Sequence, residues 1–237
     1  MIDFHTHLLP QIDDGSHSVQ ESTEMLRELY RQGVDTAVAT PHFYGDRMTL
    51  NAFVQNRDRA YEKLLPLLDE QMPAVIVGAE VAFFEGIGHS EAIRELSIGA
   101  SDTLLLEMPF TPWTPRMLSE VEDIRYRRDI RVVLAHIERY LPMQSEAICR
   151  QLFPGGLTLQ MNAETLLSFR TRRMGLHLLE SGRVQVLGSD CHGMQYRPPR
   201  MAEAAERIRK KLGEEMLLRL DENARELLTP VKEKTLV

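Results

Sequence analysis

The chain has 237 residues, a formal net charge of −7 and two cysteines. This length suits one large α/β domain, the acidic charge disfavours long nucleic acid as a partner, and so few cysteines are typical of a reducing compartment. Because there is no secretory pattern at the start and no apolar run near the ~18 residues of a membrane span, we expect one cytoplasmic domain over residues 1–237, without membrane insertion.

Short apolar segments alternate along the chain with longer amphipathic ones. Seven apolar segments are predicted as strands: Met1–His7, Asp35–His42, Ala74–Val81, Thr103–Glu107, Arg131–His136, Leu157–Asn162 and Val184–Asp190. Helical patterns include Ser18–Gln32, Leu50–Leu68, Glu91–Leu96, Ala202–Leu220 and a helical tail over Met201–Leu228. Nearly continuous apolar strands separated by helices predict a parallel sheet covered by helices, either a barrel or a doubly wound sheet. Seven βα units in about 200 residues favour the barrel. The amphipathic helices could also cover a neighbouring copy, so an oligomer stays open.

Metal-binding side chains stand at the C-terminal ends of these strands. They are His5, His7, His42, Glu80, Glu107, His136, Asp190 and His192. The ends of parallel barrel strands converge on one face, where active sites of this architecture lie. A cluster of imidazoles and carboxylates buried there needs compensating positive charge. Nitrogen and oxygen ligands in this number fit two or three ions such as Mn²⁺, Fe²⁺ or Zn²⁺. The other three histidines, His17, His89 and His177, are predicted to lie on the surface.

Two arginines follow strand ends and indicate the kind of substrate. Arg139 and Arg197 carry planar guanidinium groups that match phosphate oxygens, although either could instead form a solvated salt bridge. Cys191 and Arg197 also have the Cys-x5-Arg spacing of phosphatases that use a thiolate nucleophile. We do not favour this second mechanism, because Pro198 and Pro199 remove amide donors from the loop that would hold the phosphate.

Several motifs together resemble one superfamily. They are His5-x-His7, Asp13-Asp14-Gly15, Thr40-Pro41-His42, Gly78-Ala79-Glu80, Glu107, His136-Ile137-Glu138-Arg139-Tyr140, Gln160-Met161-Asn162, Ser189-Asp190-Cys191-His192 and Arg197-Pro198-Pro199. The chain resembles the polymerase-and-histidinol-phosphatase (PHP) superfamily from residue 1 to about 228. More narrowly, it is similar to the metal-dependent bacterial tyrosine-protein phosphatases of capsule and exopolysaccharide clusters.

The resemblance implies a distorted TIM-like (β/α)7 barrel, the PHP fold, with a trinuclear metal centre. His5, His7, Glu80 and Asp190 would hold one ion, and Glu80 would bridge to a second ion held by Glu107 and His136. Asp14, His42 and His192 would hold the third. Asp13 is an equally short reach away, so the choice between the two aspartates stays open. Arg139 and Arg197 match the phosphate-binding arginines of the family.

We therefore expect a metal-dependent phosphomonoesterase that acts on protein phosphotyrosine. Manganese is the first choice of metal, with iron or zinc as alternatives, and His42 or His192 could protonate the leaving group. The resemblance implies a partner, the tail of a bacterial tyrosine autokinase that regulates capsule synthesis. The alternatives are histidinol-phosphate hydrolysis, nuclease action, and an inactive metal-binding scaffold that docks a kinase.

Overall fold

The computed structural model describes residues 1–153 and 157–230, so the last seven residues of the predicted domain lie outside the described ones. The strands in the described part are β1 (Ile2–Thr6), β2 (Thr36–Ala39), β3 (His42–Phe43), β4 (Ala74–Val77), β5 (Glu80–Ala82), β6 (Thr103–Glu107), β7 (Arg131–Leu134), β8 (Thr158–Asn162) and β9 (Val186–Gly188). The α-helices there are α1 (Val19–Arg31), α2 (Leu50–Leu64), α3 (Pro115–Arg128), α4 (Glu146–Leu152), α5 (Arg172–Glu180), α6 (Met201–Leu212) and α7 (Glu214–Leu228).

The strands form a parallel ladder that follows chain order. β1 pairs with β2 and β2 with β4, while β3 pairs with β5 and the ladder continues through β6, β7 and β8 to β9. It then returns to β1, because the Asp190 amide donates to the His5 carbonyl at 2.8 Å and the His7 amide donates to the Cys191 carbonyl at 3.0 Å. β2 and β3 together fill one position around the barrel, and β4 and β5 together fill another. The nine strands therefore occupy seven positions, and the predicted α/β barrel of seven units is confirmed.

The second and third predicted strands are each broken in the middle. Pro41, between β2 and β3, has no amide hydrogen to donate to a ladder. Gly78, between β4 and β5, lies where a Cβ atom would come within 2.8 Å of the Ile98 side chain. The amides of Gly78 and Glu80 still donate to carbonyls of the neighbouring strand at 2.8 and 3.0 Å. The breaks therefore interrupt the strands without opening the barrel, and the register sets His42 opposite Glu80.

The strands that lead to His136 and Asp190 end earlier than predicted. β7 stops two residues before His136, and β9 stops two residues before Asp190. Both residues have left-handed backbone, with φ of 30° and 53°, a conformation that costs a residue other than glycine about 1–3 kcal/mol. The left-handed turn takes each side chain out of the ladder at the C-terminal end of its strand.

Helix boundaries follow local sequence signals. The Ser18 side chain accepts a hydrogen bond from an amide in the first turn of α1 and caps that helix. α2 ends earlier than predicted, because Pro66 lies in a 3-10 turn that follows it. The predicted helix over residues 91–96 is a 3-10 segment, and the one over 202–220 is divided by Gly213, whose φ is 88°. Within the described ranges, we find no helix with the length and apolarity that crossing a membrane requires.

The N-terminal end of the barrel is closed by α7. Interior side chains form a buried cluster with two residues of this helix: Phe4, Val38, Leu105, Val133 and Val186 with Ala224 and Leu227. The Thr103 hydroxyl donates to the Leu227 carbonyl at 2.6 Å, and the Arg131 guanidinium donates to the Glu226 carbonyl at 2.8 Å. Because Thr103 and Arg131 begin β6 and β7, these bonds fix α7 across the end of the barrel opposite the predicted ligands.

Candidate metal centre

All nine predicted ligand side chains meet at the C-terminal end of the barrel, and each has a ligand atom within 4.0 Å of another. They are His5, His7, Asp14, His42, Glu80, Glu107, His136, Asp190 and His192. The register of β1 against β2 shifts between Asp3 and Thr6, and such irregularities re-aim side chains. The cluster runs from His5, which is fully buried, to Asp14, whose side chain is 72% exposed. The site is therefore open to solvent on one side only.

The first group of ligands surrounds His5 and His7. Their Nε2 atoms lie 3.0 Å apart, and Glu80 Oε2 lies 3.2 Å from each of them. Asp190 Oδ1 lies 3.7 Å from His5 Nε2 and 3.5 Å from His7 Nε2. Two nitrogens and two carboxylate oxygens therefore converge on a space that one ion could fill, as the resemblance implies.

The second group lies on the other side of Glu80. Its Oε1 atom is 2.9 Å from His136 Nε2, and Glu107 Oε1 is 3.4 Å from the same nitrogen. Glu80 Oε2, which faces the first group, is also 3.0 Å from His42 Nδ1. The two oxygens of Glu80 thus face different sets of imidazoles, which is the arrangement of a carboxylate that bridges two ions.

The third group distinguishes Asp14 from Asp13. Asp14 Oδ1 lies 3.6 Å from His42 Nε2 and 3.5 Å from His192 Nε2. Asp13 turns away from this space, because its Oδ2 accepts hydrogen bonds from His7 Nδ1 at 2.7 Å and from the His42 amide at 3.0 Å. The geometry therefore supports Asp14 as the ligand and gives Asp13 a positioning role.

Hydrogen bonds fix the ring orientation of three histidines. The Nδ1 atom of His5 donates to Gln160 Oε1 at 3.3 Å, that of His7 donates to Asp13, and that of His192 donates to the Asp190 carbonyl at 3.0 Å. Each bond places the proton on Nδ1 and leaves the lone pair of Nε2 directed at the cluster. Metal-binding histidines are commonly held by such outer partners.

Gln160 and Asn162 extend this support to the carboxylates. Gln160 Nε2 donates to Asn162 Oδ1 at 3.0 Å, and Asn162 Nδ2 donates to Asp190 Oδ2 at 2.7 Å. Gln160 Oε1 also accepts from the His136 amide at 2.6 Å. Both residues belong to the motif Gln160-Met161-Asn162 that carries the family resemblance, but the motif alone does not reveal this supporting role. The signal was visible, since two amides stand at the end of an otherwise apolar predicted strand.

The donor set fits divalent cations. In the part of the chain that the structure describes, Glu80 Oε2 and His42 Nδ1 are buried without a hydrogen-bond partner. Glu80 Oε2 lies 3.0–3.2 Å from three imidazole nitrogens, yet none of these contacts has hydrogen-bond geometry. Leaving such an atom unsatisfied costs about 1–3 kcal/mol. Neighbouring ligands on an ion with bonds of about 2.1 Å lie about 3 Å apart, which matches these separations.

The charges in the cluster are strongly perturbed. Burial opposes ionisation of Glu80, but the His5, His136 and His42 imidazoles hold its pKa well below its usual range. Burial likewise opposes the charged form of His7, but the hydrogen bond to Asp13 and the negative charge of Glu80 raise its pKa to about 10. Excess negative charge is thus compensated by protonated imidazoles in the ion-free protein. Cations at the same positions would replace those protons.

The two histidines predicted as proton donors differ in their surroundings. Burial, His7 and Arg197 lower the pKa of His192 to about 4, so its imidazole is neutral near pH 7. Burial acts in the same direction on His42, but the negative charge of Glu80 outweighs it and raises the pKa of His42. In the ion-free protein these environments leave His192 neutral and favour a proton on His42.

Arg139 and Arg197 both reach the cluster. Each donates through Nη2 to Asp190 Oδ2, and Arg197 Nη1 donates to His192 Nε2 at 3.2 Å. Their side chains are 39% and 31% exposed. Since a guanidinium has five N–H donors, both retain donors for another acceptor on the open side of the site.

The structure disfavours Cys191 as a nucleophile. The residue is fully buried, and burial together with the negative charge of Asp3 raises the pKa of its thiol. A thiolate nucleophile needs the opposite environment, with a lowered pKa and access to substrate. His17, His89 and His177 are exposed, as predicted.

Comparison with known proteins identifies the family. The family model described as "Capsular polysaccharide synthesis, CpsB/CapC" matches residues 1–229. The chain belongs to the CpsB/CapC family. Among its relatives in this family, the tyrosine-protein phosphatase YwqE of Bacillus subtilis is 30% identical, with 96% of this chain and 91% of that protein covered. The tyrosine-protein phosphatase CpsB of Streptococcus pneumoniae is 29% identical, with 90% and 91% covered. The resemblance drawn from the motifs is thereby confirmed.

Solved structures agree with this family assignment. A crystal structure from work on B. subtilis YwqE and S. pneumoniae CpsB, described as unique metal-dependent tyrosine phosphatases, has a TM-score of 0.80 and 28% identity, covering 98% of this chain and 100% of that one. The phosphotriesterase homology protein of Escherichia coli has a TM-score of 0.56 at 12% identity, covering 96% and 98%. The second likeness concerns the barrel fold alone.

Proposed function

We propose that this chain is a metal-dependent phosphomonoesterase that hydrolyses phosphotyrosine in proteins. The observation that carries the proposal is the convergence of nine ligand side chains and two arginines at one end of the barrel. The relatives support the choice of substrate, because YwqE and CpsB are named tyrosine-protein phosphatases and are described as metal-dependent.

We propose that the ligands divide as the resemblance implies. His5, His7, Glu80 and Asp190 hold one ion, Glu80, Glu107 and His136 a second, and Asp14, His42 and His192 a third. Ions bound there supply a Lewis acid for the phosphoryl oxygens and a nucleophile from water at neutral pH. The donors are nitrogen and oxygen without thiolate, so we propose manganese first, with iron or zinc as alternatives.

The arginines bind the phosphoryl group in this proposal. Arg139 and Arg197 present their free N–H donors to its equatorial oxygens, whose charge increases in the transition state. Both guanidinium groups are fixed by Asp190 before substrate arrives, so little side-chain entropy is lost on binding. Arg197 also contacts His192, which couples the phosphate site to the third group of ligands.

The leaving group needs modest assistance. The phenol of tyrosine has a pKa of about 10, well below that of an alcohol, so tyrosinate departs more readily than an alkoxide. His42 and His192 remain the candidates for the proton donor.

The cellular role extends the proposal beyond the site. We propose that residues 1–237 act as one domain in the cytoplasm on the tail of a bacterial tyrosine autokinase that controls capsule or exopolysaccharide synthesis. The family description, which concerns capsular polysaccharide synthesis, supports the role. The two cysteines are free, which supports a reducing compartment.

One experiment tests the activity and its alternatives together. Metal content is measured on the purified protein, and turnover is compared on a phosphotyrosine peptide, histidinol phosphate, a single-stranded oligonucleotide and a simple aryl phosphate with Mn²⁺. We expect hydrolysis of the peptide and the aryl phosphate, lost after exhaustive chelation and restored by metal. Full activity after chelation would contradict the metal mechanism. Preference for histidinol phosphate or the oligonucleotide would support another PHP chemistry, and inactivity on all four would support the scaffold.

A further inference from the structure

A basic groove lies outside the metal centre, between α5 and α6. It has a volume of about 1020 Å³. Five of its lining residues are cationic: Arg170, Arg172, Arg173, Arg207 and Lys211. One carboxylate, Glu180, also lines it. The groove therefore concentrates an excess of four positive charges in a chain whose net charge is −7.

These cations differ from their neighbours in having no carboxylate partner. Within the described ranges, none of the five forms an ion pair within 4.0 Å, so each can still accept an external anion. On α6, by contrast, two cations outside the groove have carboxylate partners. Arg209 pairs with Glu214 at 2.5 Å, and Lys210 pairs with Glu206. Arg207 and Lys211 are four residues apart and share a face of α6, where like charges repel each other and destabilise the helix. An anion in the groove would remove this cost.

An exposed aromatic ring contacts one of the groove arginines. The Phe169 side chain is 81% exposed, and the Arg172 guanidinium lies 4.7 Å from the centre of its ring. A stacked ring and guanidinium form a surface that suits peptide groups and aromatic side chains as well as carboxylates.

The groove begins near the rim of the metal centre. α5 follows β8 after a 3-10 turn, and β8 ends at Asn162, which supports Asp190. At the start of α6, Arg200 pairs with Glu164 of that turn at 3.0 Å and ties the start of α6 to the turn that precedes α5. Both helices then run away from the catalytic face, as helices after barrel strands do.

We propose that this groove binds an acidic segment of the phosphoprotein, next to the phosphotyrosine held at the metal centre. The inference rests on the proposed function for the identity of the substrate. The nine residues of α5 span about 13 Å at 1.5 Å per residue, which accommodates about four residues of extended peptide. A segment with three or four aspartates or glutamates would match the cations.

The observations favour a peptide over a membrane or nucleic acid. The cations line a groove between two helices, whereas a membrane surface meets its ligands on a broad basic face. Nucleic acid requires a longer basic stripe than one nine-residue helix offers. The remainder of this chain is acidic, so a large polyanion would be repelled outside the groove.

Two matched variants test the groove. R207Q/K211Q removes two groove cations, and R209Q/K210Q removes two cations from the same helix outside the groove with the same change in net charge. Each is assayed on a phosphotyrosine peptide with a four-residue acidic segment, on the same peptide with asparagine and glutamine in that segment, and on an aryl phosphate. We expect R207Q/K211Q alone to raise KM for the acidic peptide by about three- to thirtyfold, since exposed ion pairs contribute about 0.3–1 kcal/mol each. kcat and turnover of the aryl phosphate should not change.

A binding measurement separates this inference from the proposed activity. Fluorescence anisotropy follows binding of the labelled acidic peptide without phosphate, so its result does not depend on catalysis. Binding that weakens in R207Q/K211Q but not in R209Q/K210Q supports the groove even if phosphotyrosine is not the substrate. Equal effects of the two variants, or no preference for the acidic peptide, overturn it. Binding to phosphatidylserine vesicles and to an oligonucleotide is measured in the same way. If R207Q/K211Q weakens binding of either of these but not of the peptide, the peptide proposal is overturned and the groove is assigned to that other ligand.

Discussion

Asp13 offers a sharp test of how the metal centre is supported. Its carboxylate accepts three hydrogen bonds, from His7 Nδ1 at 2.7 Å, the His42 amide at 3.0 Å and the Gly15 amide at 3.0 Å. Burial opposes its ionisation, but these bonds and the charge of His7 lower its pKa to about 2. D13N keeps the shape of the side chain and removes the charge. One oxygen is also replaced by an NH₂ group that faces an N–H donor.

The size of the effect follows from the bonds that change. A hydrogen bond to a charged group contributes about 1.5–3 kcal/mol and a neutral one about 0.5–1.5 kcal/mol. Replacing the charged bond to His7 by a neutral one therefore costs about 1–1.5 kcal/mol. At 1.4 kcal/mol per tenfold change, we expect metal affinity to fall about tenfold, at the lower end of the 10- to 100-fold range typical of such outer partners.

The assay measures metal affinity and stoichiometry separately. Metal-free protein is titrated with Mn²⁺ against a competing chelator, and bound metal is counted by elemental analysis. D13N should keep the wild-type stoichiometry with weaker affinity. D14N is the matched control, since Asp14 faces His42 and His192 directly and its loss should remove one ion. Unchanged affinity in D13N, or loss of an ion in D13N but not in D14N, would refute the assignment of the two aspartates.

Three further predictions concern the remainder of the site. R139Q and R197Q should each lower kcat/KM for a phosphotyrosine peptide by about 10- to 150-fold, which is the equivalent of one charge-assisted hydrogen bond. Elemental analysis should find the metal content unchanged. A loss of metal would show that the two arginines act through Asp190. C191S should keep metal content and turnover near wild type, and an inactive variant with normal metal would restore the thiolate mechanism. Chelation should lower the melting temperature measured by calorimetry, because Glu80 loses the cations that offset its burial; an unchanged melting temperature would show that the ions add nothing to stability.

The barrel and its ligands could be predicted because both follow from regular patterns. Alternation of apolar strands with amphipathic helices predicted seven βα units, and the ends of parallel strands necessarily share one face. His136 and Asp190 were therefore placed correctly at the site although the strands before them end early. Their left-handed backbone could not be predicted, because it depends on contacts with neighbouring strands.

Other features depend on contacts that a single sequence does not contain. Asp13 and Asp14 are adjacent and chemically identical, so only the path of the loop decides which one faces His42. The break at Pro41 was visible as a missing amide, but the hydrogen bonds that carry the ladder across it come from other strands. The basic groove joins cations from two helices about 35 residues apart, which no local pattern connects.

Closure of the barrel through its first and last strands has a consequence for biosynthesis. His5 and His7 are the first of the predicted ligands to leave the ribosome, but their companion Asp190 and the carbonyl of Cys191 are synthesised much later. A nascent chain without β9 lacks Asp190 and His192, so the ligand groups proposed for the first and third ions are incomplete and would bind divalent ions weakly. If the ligands divide as proposed, complete metal loading would require the finished barrel. Ions bound there would hold β1 and β9 together and oppose the loop-closure entropy of the long segment between these strands.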